Sequence, residues 1–243
     1  MLKGTLYGIS VGTGDPELIT LKGLRLLQQA KVVAFPAGVR GNTGMAEKII
    51  QPWLKPHQQT LALDFPYVQD EEILTQAWHQ AATLVWQHLS QGEDVAFACE
   101  GDVSFYSTFT YLAQTLQEIH PEVSVETVPG VCSPMASASV LGIPLTVQSQ
   151  RLAIIPALYS PGELEKALEW ADVIVLMKFS SVYGQVWQIL QQYQLLDHSH
   201  IVTRATLPNQ IIYNGLRDRR ELKLPYFSLL FIQVHGSRGK VGK

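Results

Sequence analysis

The stretch that most constrains the fold is a short apolar run that ends in a glycine-aspartate turn. The run Val95-Ala96-Phe97-Ala98-Cys99 is followed directly by Glu100-Gly101-Asp102. Residues 108–117 then place apolar side chains at helical spacing. A buried strand, a glycine turn and a helix form the repeating unit of α/β sheets, and ligands bind where their strands end. The turn could equally be an ordinary connection in which a polar side chain caps the helix.

The alternation of strand and helix patterns continues along the chain and predicts an α/β protein. A segment rich in glycine, proline and polar residues, 142–150, predicts a linker between two domains. We therefore predict an N-terminal α/β domain with a mainly parallel sheet over residues 1–145. A C-terminal α/β domain is predicted over 146–236, with a mixed sheet because some links between its strands are too short for helical crossovers. Residues 237–243 are predicted to be a disordered tail.

Composition narrows the class of function. The net charge of −3 gives no basic field that would recruit nucleic acid or a membrane surface. No run approaches the roughly 18 apolar residues of a membrane span, and no signal peptide is evident. The two cysteines, Cys99 and Cys132, cannot form a disulfide framework, and no residues have metal-ligand spacing. The expectation is a soluble cytoplasmic protein without a bound metal.

Several common catalytic motifs are absent from the sequence. After Gly12 and Gly14, the third glycine of a dinucleotide fingerprint would fall at Glu17. There is no Gly-Lys-Ser/Thr phosphate loop and no Gly-x-Ser-x-Gly elbow. What remains is a set of loops at the carboxyl ends of predicted strands, rich in glycine, proline and small residues, which could line one cleft with backbone donors and acceptors. These loops are 12–16, 101–106, 129–133, 177–180 and 204–206.

Four segments carry a family resemblance as an ordered set. They are Gly12–Gly23, Glu100–Tyr106, Thr127–Ser133 and Thr203–Thr206. The set resembles the opening motif, the Gly-Asp-Pro loop, the Pro-Gly loop and the Arg-Ala-Thr turn of the tetrapyrrole (corrin/porphyrin) methylase family. The sequence departs from the family at Thr13 and Val103, where proline is frequent, which alters loop stiffness. Residues 16–22, 100–108 and 225–230 look most like the members that methylate precorrin-2 at C(20).

The resemblance implies a fold, an activity and a cofactor. It implies two α/β domains with a cleft between them, a homodimer, and S-adenosyl-L-methionine as methyl donor. The implied reaction is methylation of precorrin-2, or of its cobalt form, at C(20) in cobalamin biosynthesis. The residues that the resemblance places around the cofactor are Gly101, Asp102, Val103, Phe105, Tyr106, Cys132, Ser133, Met177, Ala205 and Ser228.

Substrate and catalytic candidates follow from the chemistry of the implied acceptor. A tetrapyrrole with many carboxylates favours cations along its site, so Arg40 is the first candidate and Arg204 and Arg151 are further ones. Each arginine could equally be a solvated surface residue. Asp15 and Asp102 could accept a proton or orient a pyrrole N–H, and Asp102 is the catalytic candidate. Asp15 could equally serve only as a helix cap, and Met177 only as core.

Alternatives within and outside this family stay open. Another methylase of the same fold would act on a different acceptor: uroporphyrinogen III, another precorrin, diphthine precursors or ribosomal RNA. The RNA enzyme would require a basic face and stacking aromatic residues, which the slight negative charge does not favour. A non-catalytic binding protein with this fold is the alternative from a different class.

Overall fold

The computed structural model describes residues 3–38, 42–66, 68, 70–157 and 160–234, and the chain divides into two compact units between Cys132 and Ser133. The elements of the first unit are β1 (Thr5–Ser10), α1 (Leu21–Gln29), β2 (Val32–Pro36), α2 (Met45–Ile50), β3 (Gln59–Leu63), α3 (Glu71–Leu89), β4 (Val95–Cys99), α4 (Thr108–Ile119) and β5 (Ser124–Val128). Those of the second unit are α5 (Ser133–Leu141), β6 (Leu152–Ile155), α6 (Pro161–Leu168), β7 (Val173–Met177), α7 (Tyr183–Gln192), β8 (Ser199–Thr203), β9 (Ile211–Asn214) and β10 (Ser228–Gln233). The α/β class that the sequence predicted is confirmed.

The first unit is built on a parallel sheet with strand order β3-β2-β4-β1-β5. Every residue of β4 is buried, because helices cover both faces of the sheet. On one face Ala96 and Ala98 pack with α1 and α2. On the other face Phe97 and Cys99 pack with α3 and α4. A strand buried on both sides must be apolar throughout, which explains the uninterrupted run in the sequence.

The chain leaves β1 and β4 toward opposite faces of the sheet, although these two strands are direct neighbours. After β1 it forms α1, and after β4 it forms α4 on the other side. Divergence of this kind opens a crevice outside the carboxyl ends of the strands, the usual ligand site of open α/β sheets. Since β5 lies on the other side of β1, the loops after β1, β4 and β5 share this edge.

Helix starts in the first unit are specified locally. Thr20 caps α1 by accepting the Gly23 N–H, and Ser107 caps α4 by accepting the Phe109 N–H at 3.0 Å. The Phe109 ring then packs against Gly8 of β1, where a Cβ atom would lie 2.4 Å from the ring. Glycine at this position therefore lets α4 pack closely against the sheet, near the edge shared by the loops after β1, β4 and β5.

The second unit contains a mixed sheet with order β6-β7-β10-β8-β9. The β6–β7 pair is parallel and is joined through α6, whereas β10 runs antiparallel to both β7 and β8. Because of this, the ends of β7 and β8 and the start of β10 lie at one edge of the sheet. In register, Leu229 pairs with Met177 and Ser228 pairs with Thr203.

The division between the units lies earlier in the chain than the predicted linker at 142–150. The reason is the packing of α5, the small-residue helix before that linker. Its Ala138 belongs to an apolar cluster with Val175, Val202 and Phe231 of the second sheet. The helix therefore belongs with the second unit, although its sequence precedes the glycine and proline residues of the linker. The predicted tail, 237–243, lies outside the described residues.

None of the helices in the described part of the chain is both long enough and apolar enough to cross a membrane.

Candidate functional site

The loops after β1 and β4 are joined by a pair of glycines. Gly101 donates its N–H to the Gly12 carbonyl at 2.7 Å, and Gly12 donates to the Gly101 carbonyl at 3.3 Å. Both residues have left-handed backbones, with φ of 79° at Gly12 and 73° at Gly101. A side chain at Gly12 would place its Cβ 2.7 Å from Leu18 Cβ. Glycine is therefore required here by conformation, and at Gly12 also by space.

A buried hydroxyl connects the same edge to the loop after β5. Ser10, the last residue of β1, is fully buried and donates to the Val128 carbonyl at 2.6 Å. Its oxygen accepts the Val103 N–H at 3.0 Å. Three neighbouring strand ends are thus linked through one side chain. Sequence reasoning missed Ser10, and the signal that could have found it is a polar residue closing an apolar strand.

Asp102 holds the loops after β4 and β5 together. Its Oδ1 accepts the Ser104 N–H at 2.8 Å and the Ser104 hydroxyl, and its Oδ2 accepts the Gly130 N–H at 2.7 Å. Burial by itself would raise the pKa of Asp102, but the hydrogen bonds from Ser104, Gly130 and Ser10 outweigh it and leave the pKa below its ordinary value. The carboxylate is therefore stable as an anion whose oxygens already accept protein donors.

The Pro-Gly loop after β5 has room only for glycine at position 130. A Cβ there would lie 2.5 Å from Ser10 Cβ and 3.2 Å from the Ser10 carbonyl oxygen. We expect Gly130→Ala to lower the free energy of unfolding by about 1–3 kcal/mol through overpacking, measured by chemical denaturation. The matched control is Gly184→Ala in α7, where an added Cβ has nothing within 4 Å.

The control is expected to change stability in the opposite direction. Alanine is favoured over glycine inside a helix by up to about 1 kcal/mol, so Gly184→Ala should be neutral or stabilising. Equal effects of the two substitutions would contradict the close packing of Gly130 against Ser10.

The loops after β1, β4 and β5 and the contacts that join them are called the linked edge below. The remaining predicted cofactor residues of the first unit lie around it. Val103 is buried in the core and directs its N–H to Ser10, while Phe105 and Tyr106 form an edge-to-face pair at 4.7 Å. Tyr106 is exposed and has φ of 52°, so its ring is available to a ligand. Beside Gly101, an added Cβ would meet only the Cα of Cys132, at 3.9 Å. Gly101 itself is buried, and its N–H and carbonyl are both bonded to Gly12.

Cys99, at the end of β4, is a structural thiol. Its Sγ lies 2.8 Å from the Ser107 hydroxyl. Burial raises the pKa of Cys99 to about 12, against the smaller lowering effect of that hydrogen bond. A thiol with this pKa is not a nucleophile at neutral pH.

Glu100 is a second residue of this edge that sequence reasoning did not single out. It follows the fully buried β4 and precedes Gly101, and it is half-buried. Burial raises the pKa of Glu100 from 4.5 to about 7. A charged residue directly after a fully apolar strand was the available signal, but the pattern alone does not reveal whether such a carboxyl has a partner.

In the second unit the predicted residues Met177, Ala205 and Ser228 lie at one edge of the sheet. Met177 ends β7 and packs against the cluster around Val175, so it is partly a core residue. Ala205 is buried just after β8, and Ser228 is buried at the start of β10 with its hydroxyl donating to the Pro225 carbonyl at 2.7 Å. Ser133 is the first residue of α5. The cleft between the domains stays a prediction.

The predicted substrate residues have different surroundings. Arg204 has a left-handed backbone, φ 51°, and donates its N–H to the Phe227 carbonyl at the edge that also holds Ala205. Arg151 lies just before β6, at the opposite edge of that sheet, beside the Asp172 carboxylate at 3.4 Å. Asp15 caps a short 3₁₀ turn by accepting the Glu17 N–H at 2.9 Å. Arg40 lies outside the described residues.

No group of three or more His, Cys, Asp or Glu side chains able to hold a metal ion occurs within the described ranges.

Comparison with known proteins identifies the class of protein to which the chain belongs. A model of the tetrapyrrole (corrin/porphyrin) methylases matches residues 5–219. The chain belongs to this family, as its motifs predicted.

Individual relatives match along nearly their whole length. The cobalt-precorrin-2 C(20)-methyltransferase of Salmonella typhimurium is 31% identical over 232 residues, 95% of this chain and 97% of the relative. The precorrin-2 C(20)-methyltransferase of a Sinorhizobium species is 30% identical over 237 residues, 94% of this chain and 95% of the relative. A solved structure of Thermus thermophilus uroporphyrin-III C-methyltransferase complexed with S-adenyl homocysteine has a TM-score of 0.66, with 23% identity and coverage of 94% and 97%. This last likeness shows the shared fold.

Proposed function

We propose that this protein transfers the methyl group of S-adenosyl-L-methionine to C(20) of precorrin-2, or of its cobalt form, in cobalamin biosynthesis. The observation that carries the proposal is the full-length identity of about 30% to two enzymes named for this reaction. The linked edge of the first unit is consistent with it. A sulfonium donor is intrinsically reactive, so the protein must mainly align donor and acceptor and exclude water.

The methyl donor is proposed to bind at the two sheet edges described above. In the first unit we assign to it Gly101, Asp102, Val103, Phe105, Tyr106 and Cys132. In the second unit we assign to it Ser133, Met177, Ala205 and Ser228. The fit of the first unit rests on the exposed Tyr106 ring, which stands on the loop after β4. Asp102 serves this site by fixing the loops whose backbone groups would contact the donor.

The anionic acceptor is proposed to contact Arg40 and Arg204. Asp15, in the loop after β1, is the third residue proposed to contact it. In the described part of the chain, no carboxylate lies within ion-pair distance of Arg204. Arg151 is less suited to this role because it already faces Asp172.

We further propose that the protein is a cytoplasmic homodimer. Light scattering of the purified protein would test its oligomeric state.

The function is tested by incubating the purified chain with labelled S-adenosyl-L-methionine and each of three acceptors: precorrin-2, cobalt-precorrin-2 and uroporphyrinogen III. We expect one methyl group per molecule on one of the first two, located at C(20) by carbon-13 NMR. Methylation of uroporphyrinogen III instead would favour the alternative acceptor within this family that the sequence left open. Donor binding by calorimetry without transfer to any acceptor would favour a non-catalytic binding protein.

A further inference from the structure

Glu100 occupies the point of the first unit where β1 and β4 diverge. It is placed between the last buried residue of β4 and Gly101, whose backbone is bonded on both sides to Gly12. Its Cα position is therefore fixed by the central strand and by the glycine pair. A carboxyl at the crevice of an open α/β sheet, on a rigid support, is well placed to face a ligand.

No donor in the described part of the chain satisfies the Glu100 carboxyl. None of the hydrogen bonds or ion pairs described for residues 3–38, 42–66, 68, 70–157 and 160–234 involves its side chain. It caps no helix there, since Ser107 caps α4. A structural carboxylate in a half-buried position is normally paired. An unpaired one beside a ligand crevice is instead typical of a group that handles a proton.

Asp102, two residues along the loop, has the opposite character. Both of its oxygens accept protein hydrogen bonds, and its pKa is lowered. Drawing a proton to it would weaken the bonds that hold the loops after β4 and β5. The other titratable groups on the paired loops are the Cys99 thiol, which is inert, Asp15, which caps its own turn, and the exposed side chains of Glu17 and Tyr106. Glu100 is thus the half-buried carboxyl of this edge that accepts no hydrogen bond in the described part of the chain.

Methylation of a C–H carbon requires a proton acceptor. The acceptor carbon attacks the methyl group, the new C–C bond forms as the S–C bond breaks, and the electron pair of that bond stays on sulfur. The carbon then carries both the methyl group and its original hydrogen. Loss of that hydrogen as a proton restores the conjugated ring, so each turnover releases one proton, one methylated product and one thioether.

We infer that Glu100, and not Asp102, accepts the proton released from the methylated carbon. The inference rests on the proposed function, because it assigns a step in that reaction. Burial supports it by raising the pKa of Glu100 to about 7, which suits a base that must take up and release a proton near neutral pH.

The test compares Glu100→Gln with Glu118→Gln, which removes an exposed carboxyl on α4. Single-turnover rates with precorrin-2 are measured from pH 5.5 to 9, and S-adenosylhomocysteine affinity is measured by calorimetry. In the wild type and in Glu118→Gln the rate should rise with pH and level off above about 7. In Glu100→Gln it should be about 100-fold lower and lose this dependence, with thioether affinity unchanged. Added formate should partly restore the rate of Glu100→Ala.

The outcomes separate the inference from the proposed function. If the wild type does not methylate precorrin-2 or its cobalt form, the proposed function fails. If the wild type is active and Glu100→Gln keeps a rate within about twofold, only the inference is overturned. A slow Glu100→Gln that keeps the wild-type pH profile and loses thioether affinity in parallel also overturns it, because the residue would then be structural.

Discussion

Replacing Asp102 with alanine is expected to weaken binding of S-adenosylhomocysteine at least about tenfold, or about 1.4 kcal/mol, and to lower the free energy of unfolding by about 2 kcal/mol. The change removes the acceptor for the Gly130 N–H, the Ser104 N–H and the Ser104 hydroxyl. The loops after β4 and β5 then lose their connection at the edge where the donor is proposed to bind. Calorimetry and chemical denaturation measure the two effects.

Two controls define this prediction. Asp102→Asn keeps the shape and one acceptor oxygen, so its losses should be intermediate, and Glu118→Ala on the exposed face of α4 should change neither quantity. The pKa of Asp102 lies below its ordinary value of 3.8. Its stabilisation is therefore present at neutral pH and is lost only as the pH falls through the lowered value, where wild type and Asp102→Ala should converge. Unchanged affinity in Asp102→Ala would show that the loops do not depend on this carboxylate.

Glu100→Gln is expected to make the protein more stable at pH 8 by on the order of 3 kcal/mol, at about 1.4 kcal/mol per pKa unit. The folded state raises the pKa of Glu100 from 4.5 to about 7 through burial. Ionisation is therefore harder in the folded than in the unfolded chain, and the wild type loses stability as the pH rises from 4.5 to 7. Glutamine is neutral throughout and has no such loss.

Denaturation midpoints at pH 4, 6 and 8 check this result. The advantage of Glu100→Gln should be absent at pH 4, where the glutamate is also neutral, and largest at pH 8. Glu118→Gln should show no such trend. If Glu100→Gln were no more stable at pH 8 than the wild type, the carboxyl would have to be solvated or paired. A carboxyl that costs stability at neutral pH is the pattern expected where function, not folding, determines the residue.

The strand and helix pattern could be predicted from the sequence because burial imposes its own periodicity. The apolar run of β4 is a direct consequence of helices on both faces, and the caps Thr20 and Ser107 mark helix starts with side chains that are visible in the sequence. The glycine-aspartate loop was recognisable for the same local reason. Its position at the divergence of β1 and β4 follows from strand order, which pairs residues far apart in the chain.

The connections within the site could not be predicted in this way. Ser10, Asp102 and Gly130 are distant in sequence, and their contacts depend on which strands become neighbours. The predicted linker lies after α5, whereas the two units divide before it, because the pattern of small residues does not say which sheet a helix packs on. The position of Arg151, in contrast, follows from the order of elements. Because Arg151 directly precedes β6, it lies at the start of that strand and not at a carboxyl end.

The reciprocal bonding of Gly12 and Gly101 has a consequence for exchanging specificity between members of this family. Each glycine donates a backbone hydrogen bond to the other and accepts one from it, so the two loops form one connected unit and not two independent loops. A chimaera that imports only the segment after β4 would meet a foreign counterpart after β1. Transplants should therefore move both segments together, as a single cassette.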